Sequence, residues 1–292
     1  MMKQKIRRVG IFLLLVIILS GCSKLEENTE FTAEGIRKLS VSKNGEVIYS
    51  IAYKPEEYEN SYEYWKMPVP YESKAIINTE EMLKLYEVLA NLEFSNAVET
   101  KEDTGLSKPY GEILLEFGQP TKESTYESKA DSTCTLLIGN EDGEGNYYTA
   151  LKSNVEKVYL MKTETIDAVL NANPFSLILK VGTVVDVNTV SKVNILMDGK
   201  AYQMSAGNHE LYAQLLSVFI EKEMPKEQEG HKEEILLHLE FIRNKEGADD
   251  VIVEYYVYDG DYAVLKLDGV EKFLVKIEDV EHLKIIISDN LD

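Results

Sequence analysis

The sequence predicts an α+β protein of two similar domains. Each is a mainly antiparallel sheet with one longer and one short helix, and the two are related by an internal duplication. Three features predict this. Short β-rich runs flank Asn-Gly and Asp-Gly dipeptides, which supply the positive φ angles of tight hairpin turns. Two stretches, 82–92 and 211–219, instead carry apolar residues at helical spacing. The order of these elements also recurs. Gly145, Tyr147, Val155, Glu156 and Lys157 reappear as Gly260, Tyr262, Val270, Glu271 and Lys272 at a constant offset of 115, and Ile113-Leu114-Leu115 reappears as Ile235-Leu236-Leu237. A repeat this long excludes a solenoid of small units.

The first domain spans 36–173 and opens with a hairpin, 38–41 and 47–53, around Asn44-Gly45. Residues 58–71 are rich in tyrosine and lie among Pro55, Pro68 and Pro70, which suits irregular chain or an edge strand. Asn78-Thr79-Glu80-Glu81 starts a helix with acidic residues in its first turn, continued by Met82, Leu85, Tyr86, Leu89 and Leu92. Strands are expected at 112–117, 133–138, 147–152 and 157–161, with Asp142-Gly143-Glu144-Gly145 as the loop between the middle pair. A short helix at 163–170 buries Ile166, Val169 and Leu170, and Asn171-Ala172-Asn173-Pro174 stops it.

The second domain spans 174–292 and repeats the order. Strands at 192–197 and 200–204 flank Asp198-Gly199. Asn208 caps a helix carrying Leu211, Tyr212, Leu215, Leu216 and Phe219. Strands follow at 234–241, 251–258, 263–267 and 272–275, and residues 280–283 lie in a final short element.

Ahead of both domains stands a three-part leader, 1–21. Lys3, Lys5, Arg7 and Arg8 precede an apolar run from 9 to 19, and the run meets Leu19-Ser20-Gly21-Cys22. A basic start with a short apolar segment reads as a secretory signal. The run falls short of the roughly 20 apolar residues of a spanning helix. The last four residues resemble the lipobox of bacterial lipoproteins. That resemblance implies cleavage before Cys22 and a diacylglyceryl group on its thiol, so Cys22 is the expected lipidation site. Two acyl chains give the stable attachment that one does not. Residues 22–35 then read as an acidic tether without periodicity, and Ser23 to Gly35 reaches about 40 Å when fully extended. The expected location is the outer face of the cytoplasmic membrane.

The net charge of −20 becomes more negative once the basic leader is removed. Phosphate would be repelled, so nucleic acid is excluded as a partner. Hydrophobic residues make up 44% of the chain, enough for a full core. Cys134, the one other cysteine, lies in an apolar stretch and suits a buried strand position.

Several segments together resemble the DUF4340 family. They are Tyr64-Trp65-Lys66-Met67, the helix at 79–92, Thr104-Gly105-Leu106-Ser107-Lys108-Pro109, Leu136-Leu137-Ile138-Gly139, Gly145-Asn146-Tyr147-Tyr148 and Val158-Tyr159, in that order. The shared features are a G-L-x-K-P turn, an L-x-I-G strand end and a G-x-Y-Y strand, over roughly residues 37–172. The second half lacks the turn and the L-I-G step. The resemblance implies an accessory role in the cell envelope beside a membrane transport complex of the ABC type, and no enzyme activity. In physical terms Gly105 and Pro109 fix a turn, Gly139 marks a bulge or close approach, and Tyr147 and Tyr148 point to opposite faces, one toward the core and one outward.

No catalytic residue, cofactor or metal ligand is assigned. The chain has no glycine-rich phosphate loop and no nucleophile elbow. Of the four histidines, His209, His231, His238 and His282, the pair His231 and His238 lies nearest to a cluster, with Glu233, Glu234 and Glu240. On a strand His238 and Glu240 share a face, but the spacing fits no zinc pattern, and a solvated polar face is the better reading. Asn140 to Gly145 lacks the alternation of a calcium loop. Trp65, Tyr62 and Tyr64 are the candidate partner contacts, since aromatics with polar tips favour interfaces. The competing reading packs them on the edge of the first sheet. The expected function is non-enzymatic binding or accessory work by a membrane-anchored lipoprotein with an envelope protein partner. The alternatives are a solute-binding lipoprotein with its ligand between the domains, and an envelope hydrolase of unrecognised type.

Overall fold

The computed structural model describes residues 26–28, 30–32, 35–53, 65–94, 97–99, 103–118, 130–205, 209–225, 234–244 and 249–290. The leader, Cys22, Tyr62, Tyr64, Asn208, His231 and Glu233 lie outside them. The first sheet comprises β1 (Glu26–Glu27), β2 (Ile36–Lys43), β3 (Glu46–Tyr53), β4 (Trp65–Val69), β5 (Ala75–Ile76), β6 (Gly111–Phe117), β7 (Ser132–Glu141), β8 (Asn146–Leu151) and β9 (Asn154–Lys162). Its helices are α1 (Thr79–Ala90) and α2 (Thr163–Leu170). A short α3 (Pro174–Leu177) and a 3-10 turn at Val187–Thr189 lead to the second sheet. That sheet comprises β10 (Val190–Met197), β11 (Lys200–Ser205), β12 (Ile220–Glu223), β13 (Ile235–Arg243), β14 (Val251–Val257), β15 (Tyr262–Leu267) and β16 (Val270–Lys276), with α4 (His209–Leu215) and α5 (Ile277–Asp289). Among the described residues the protein is therefore sheet-dominated, with few helices, and every strand pair is antiparallel except β1 on β7.

Both sheets share one strand order. The path β3-β2-β6-β7-β8-β9 in the first is matched by β11-β10-β13-β14-β15-β16 in the second. They differ at the edges, where the first extends through β4 and β5 and the second adds β12 beside β16. Turn chemistry fixes the registers. Asn44 and Gly45 both take positive φ, 50° and 84°, between β2 and β3, and Asp198 and Gly199 take 51° and 70° between β10 and β11. Each pair is the two-residue turn whose twist matches its flanking strands. The loops at Asp142 and Asp259 are closed differently. Asp142 Oδ1 accepts from the backbone of Glu144 and Asn146, and Asp259 Oδ1 accepts from Asp261 and Tyr262. These self-bonded loops compensate the backbone locally.

Helix α1 starts at Asn78, whose side chain accepts from Glu80 N at 2.9 Å, and it buries Leu85 and Leu89. Tyr86 is exposed, contrary to its place in the expected apolar face, and Val88 packs inward instead. Helix α5 corrects a larger expectation. Residues 280–283 lie inside a 13-residue helix that begins at Ile277 and buries Val280, Leu283 and Ile287. The three successive β-branched residues Ile285, Ile286 and Ile287 disfavour a helix intrinsically. Packing of α5 against β13, β15 and β16 overrides that preference. Helix α4 ends at Leu215, earlier than expected, and Phe219 is exposed. The chain leaves α4 to form β12, an Ile-Glu-Lys-Glu strand with one buried residue, held by pairing with β16. The expected tether is also partly structured. Glu26 and Glu27 pair with Ser132 and Thr133, and Phe31 stacks on Phe94 at 5.3 Å.

One hydrophobic cluster runs through both sheets and includes Cys134, fully buried on β7. The sheets meet where the turn after β4 reaches the second sheet. Tyr71, 2% exposed, lies 4.8 Å from Phe273, ring to ring, and donates its hydroxyl to Glu223. Lys74 pairs with Asp268 at 2.8 Å and Lys272 with Glu72 at 3.6 Å across the same junction. The linking segment bonds to both sides, Ile178 bridging to Ile77, and Val181 to Phe219.

Candidate contact surface on the second sheet

Alternation along β10 and β13 sorts their side chains onto two faces. Val193, Ile195 and Met197 on β10, and Leu237, Leu239 and Phe241 on β13, are buried in the core. The opposite phase, Asn194 and Leu196 with His238 and Glu240, points to the outer face. Register then lines these residues up. Leu196 faces His238 and Asn194 faces Glu240, while His238 faces Glu254 on β14, and Glu254 faces Lys266 on β15.

Two polar ladders cross the face. In one, Gln203 donates to Asn194 at 2.9 Å and Asn194 donates to Glu240 at 2.6 Å. In the other, Nδ1 of His238 lies 3.2 Å from Glu254, Lys266 lies 3.9 Å from Glu254, and Lys266 lies 3.3 Å from Glu271. Partial burial disfavours the charge on Lys266, but its bond to Glu271 and the nearby Tyr256 and Glu254 outweigh that, and its pKa is raised. Burial, seconded by Glu254, raises that of Tyr256. Between the ladders and the β11 edge lies an open groove of about 710 Å³, lined by Asn194, Leu196, Tyr202, Gln203, Ile235, His238 and Glu254 among others. Leu196 and Ile235, 38% and 39% exposed, stand on it. Exposed branched aliphatics beside a satisfied polar network suit a shallow protein contact. Each carboxylate of the ladders has a hydrogen-bond or ion-pair partner.

Of the residues singled out in the sequence, His238 and Glu240 do share this face, but they bind different partners, Glu254 and Asn194. Among the described residues no group of three or more acidic, histidine or cysteine side chains converges to hold a metal. In the 140–145 loop Asp142 is engaged by its own backbone and by Asn146 Nδ2 at 2.7 Å. That bond leads the causes that hold its carboxyl below the usual range. Trp65 opens β4, half-buried, with its ring 5.3 Å from that of Tyr53. It packs against the first sheet's core and is remote in sequence and fold from the groove. Tyr147 is buried and donates to Asp167 at 3.2 Å; burial first, then Asp167, pushes its pKa up to about 12. Tyr148 is buried too, so neither of the pair is exposed, where one was expected to face outward. The face it shares with Ala150 is covered in part by Leu106, which packs on Leu137 and Ala150.

Motifs and aromatic content do not single out Leu196 and Ile235. Their signal is a hydrophobe out of phase: Leu196 occupies the polar phase of β10, between the buried Ile195 and Met197. The motif glycines resolve into one joint. A Cβ on Gly139 would lie 2.0 Å from the Thr104 carbonyl oxygen, and one on Gly105 would lie 2.5 Å from Asn140 Oδ1. The 103–106 turn thus lies directly on β7. Comparison of the chain with known family models, with curated proteins and with solved structures finds no match.

Proposed function

We propose that this chain is a lipid-anchored extracytoplasmic protein that binds an envelope protein through the open face of its second sheet, without catalysing a reaction. The observation that carries the binding reading is the groove bearing exposed Leu196 and Ile235 beside fully partnered polar ladders. The anchor reading rests on the basic start, the apolar run and Leu19-Ser20-Gly21-Cys22. The order of motifs resembling the DUF4340 family points toward the same accessory role, beside a membrane transport complex. The matching strand order of the two sheets and the offset of 115 support an origin by duplication. A ligand clamped between the domains is the weaker reading, because Tyr71, Phe273 and two ion pairs fill the junction.

The test places a photo-crosslinking residue at Leu196 or Ile235 and, as control, at exposed Leu83 on α1, in cells that make the full chain. A discrete adduct from the groove positions alone, lost when the other groove residue is made acidic (Ile235→Glu with the probe at 196, Leu196→Glu with the probe at 235), is the expected result. Adducts from Leu83 and none from the groove would refute it.

A further inference from the structure

We infer that the end of the first sheet at which β1 docks is the membrane-facing end of the molecule, lying on lipid headgroups, with the second domain held on the far side. This rests on the proposed lipidation of Cys22 and adds an orientation to it.

Chain length sets the first constraint. Four residue steps separate Cys22 from Glu26, and even fully extended they span only about 14 Å. Glu26 itself is fixed by its pairing with Ser132. Asn28 reinforces the dock, its N–H donating to Thr133 O at 2.7 Å and its carbonyl accepting from Ser153 Oγ at 3.0 Å. Phe31 then stacks on Phe94, which meets Tyr159 edge-on at 5.2 Å. The segment read as a tether is therefore tied to the sheet at Glu26–Asn28 and at Phe31.

Register identifies what shares that end. Ser132 pairs with Phe117 and Phe117 with Ile36, so the start of β7, the end of β6 and the start of β2 coincide. Lys38 pairs with Ala52, and Tyr53 with Trp65, which brings in the end of β3 and the start of β4. The turn from β8 to β9 lies there too, since Lys152 N donates to Thr135 O at 2.9 Å. This end presents the Tyr53–Trp65 pair together with Lys152, whose side chain is 55% exposed and lies 3.9 Å from Glu112. Trp and Tyr favour the headgroup level of a bilayer. The opposite end of β4 leads into the turn whose Tyr71, Glu72 and Lys74 hold the second domain. The contact groove is consequently carried away from the lipid surface, where a partner has access to it.

The test uses the full chain, lipidated in cells and reconstituted in vesicles of phosphatidylethanolamine and phosphatidylglycerol carrying a headgroup nitroxide. Fluorophores are placed on Asn154→Cys, in the β8–β9 turn, or on Lys200→Cys, in the second domain; buried Cys134 stays unlabelled. Emission of Trp65, the chain's one tryptophan, is a third probe. The expected result is quenching at least about threefold stronger at position 154 than at 200, with Trp65 quenched as well. Equal quenching at 154 and 200, or stronger quenching at 200, in vesicle-bound lipidated protein overturns the orientation while leaving the anchor intact. Intact mass tests the anchor separately: a chain without acyl groups on Cys22 sinks both.

Discussion

Replacing Gly139 with alanine adds one methyl group where the 103–106 turn lies against β7. The new Cβ would sit 2.0 Å from the Thr104 carbonyl oxygen. An unstrained carbon–oxygen contact needs about 3.3 Å, so one of the two backbones must give by about 1.3 Å. Neither is the loose end of a side chain. Asn140 N donates to Thr104 O at 2.8 Å, and Asn140 Nδ2 donates to Asp103 O at 2.9 Å. Displacing the turn loses both bonds, at about 1 kcal/mol each. Overpacking adds roughly 1–3 kcal/mol. Together these give a destabilisation of about 3–5 kcal/mol, a large part of the roughly 5–15 kcal/mol that holds a typical protein folded. Gly260→Ala is the matched control, because a Cβ there meets nothing within 4 Å and the residue has no positive φ. It should be neutral or stabilise slightly, by less than about 1 kcal/mol. Urea unfolding of residues 23–292, followed by circular dichroism, reads both. A Gly139→Ala protein within about 1 kcal/mol of the parent would mean that the turn does not lie on β7 as described.

The junction between the two sheets makes a second prediction. Tyr71→Phe keeps the ring against Phe273 but removes the donor to Glu223, and should cost about 1.5–3 kcal/mol, the range for a bond to a charged group. Tyr71→Ala also empties a buried site and should cost about 3–5 kcal/mol, read as a lower melting temperature by calorimetry. Lys180 gives a pH dependence. Burial pushes its pKa down to about 8 from an ordinary 10.5, with Glu223 acting in the opposite direction. Between those values the unfolded chain binds more protons than the folded one, so this lysine makes stability rise with pH across that window, and its penalty is fully present below it. Lys180→Met should remove the rise, and a melt series at pH 7.5 to 10.5 compares the two proteins over that range. Leu196→Glu with Ile235→Glu should abolish partner capture and leave the melting temperature nearly unchanged, since both side chains are exposed.

Much of the fold is legible where local chemistry decides it. Asn44-Gly45 and Asp198-Gly199 can adopt the turn they need almost irrespective of context, and both hairpins form as expected. The same holds for α2, whose Ile166, Val169 and Leu170 are all buried. Elements that exist only through pairing leave no local trace. Glu26–Glu27 and the Ile-Glu-Lys-Glu of β12 have no strand composition, and each is held by a neighbour distant in sequence. Helix α5 reads as a shorter element in the sequence because isoleucines in a row mimic a strand, while the spacing of Val280, Leu283 and Ile287 carries the true period. The contact surface is hidden for another reason. Aromatic content favours Trp65, which packs beside Tyr53, whereas the exposed hydrophobes of the second sheet are plain aliphatics. Their location depends on which strand phase faces the helices, and that is settled only when α5 packs on β13, β15 and β16.

The most direct measurement is the intact mass of the protein extracted from membranes, alongside a Cys22→Ala variant grown with labelled fatty acid. Lipid anchoring predicts a mature chain beginning at Cys22 that carries diacylglyceryl, with label absent from the variant. A wild-type chain that retains residues 1–21, or one cut elsewhere and free of acyl groups, would contradict it.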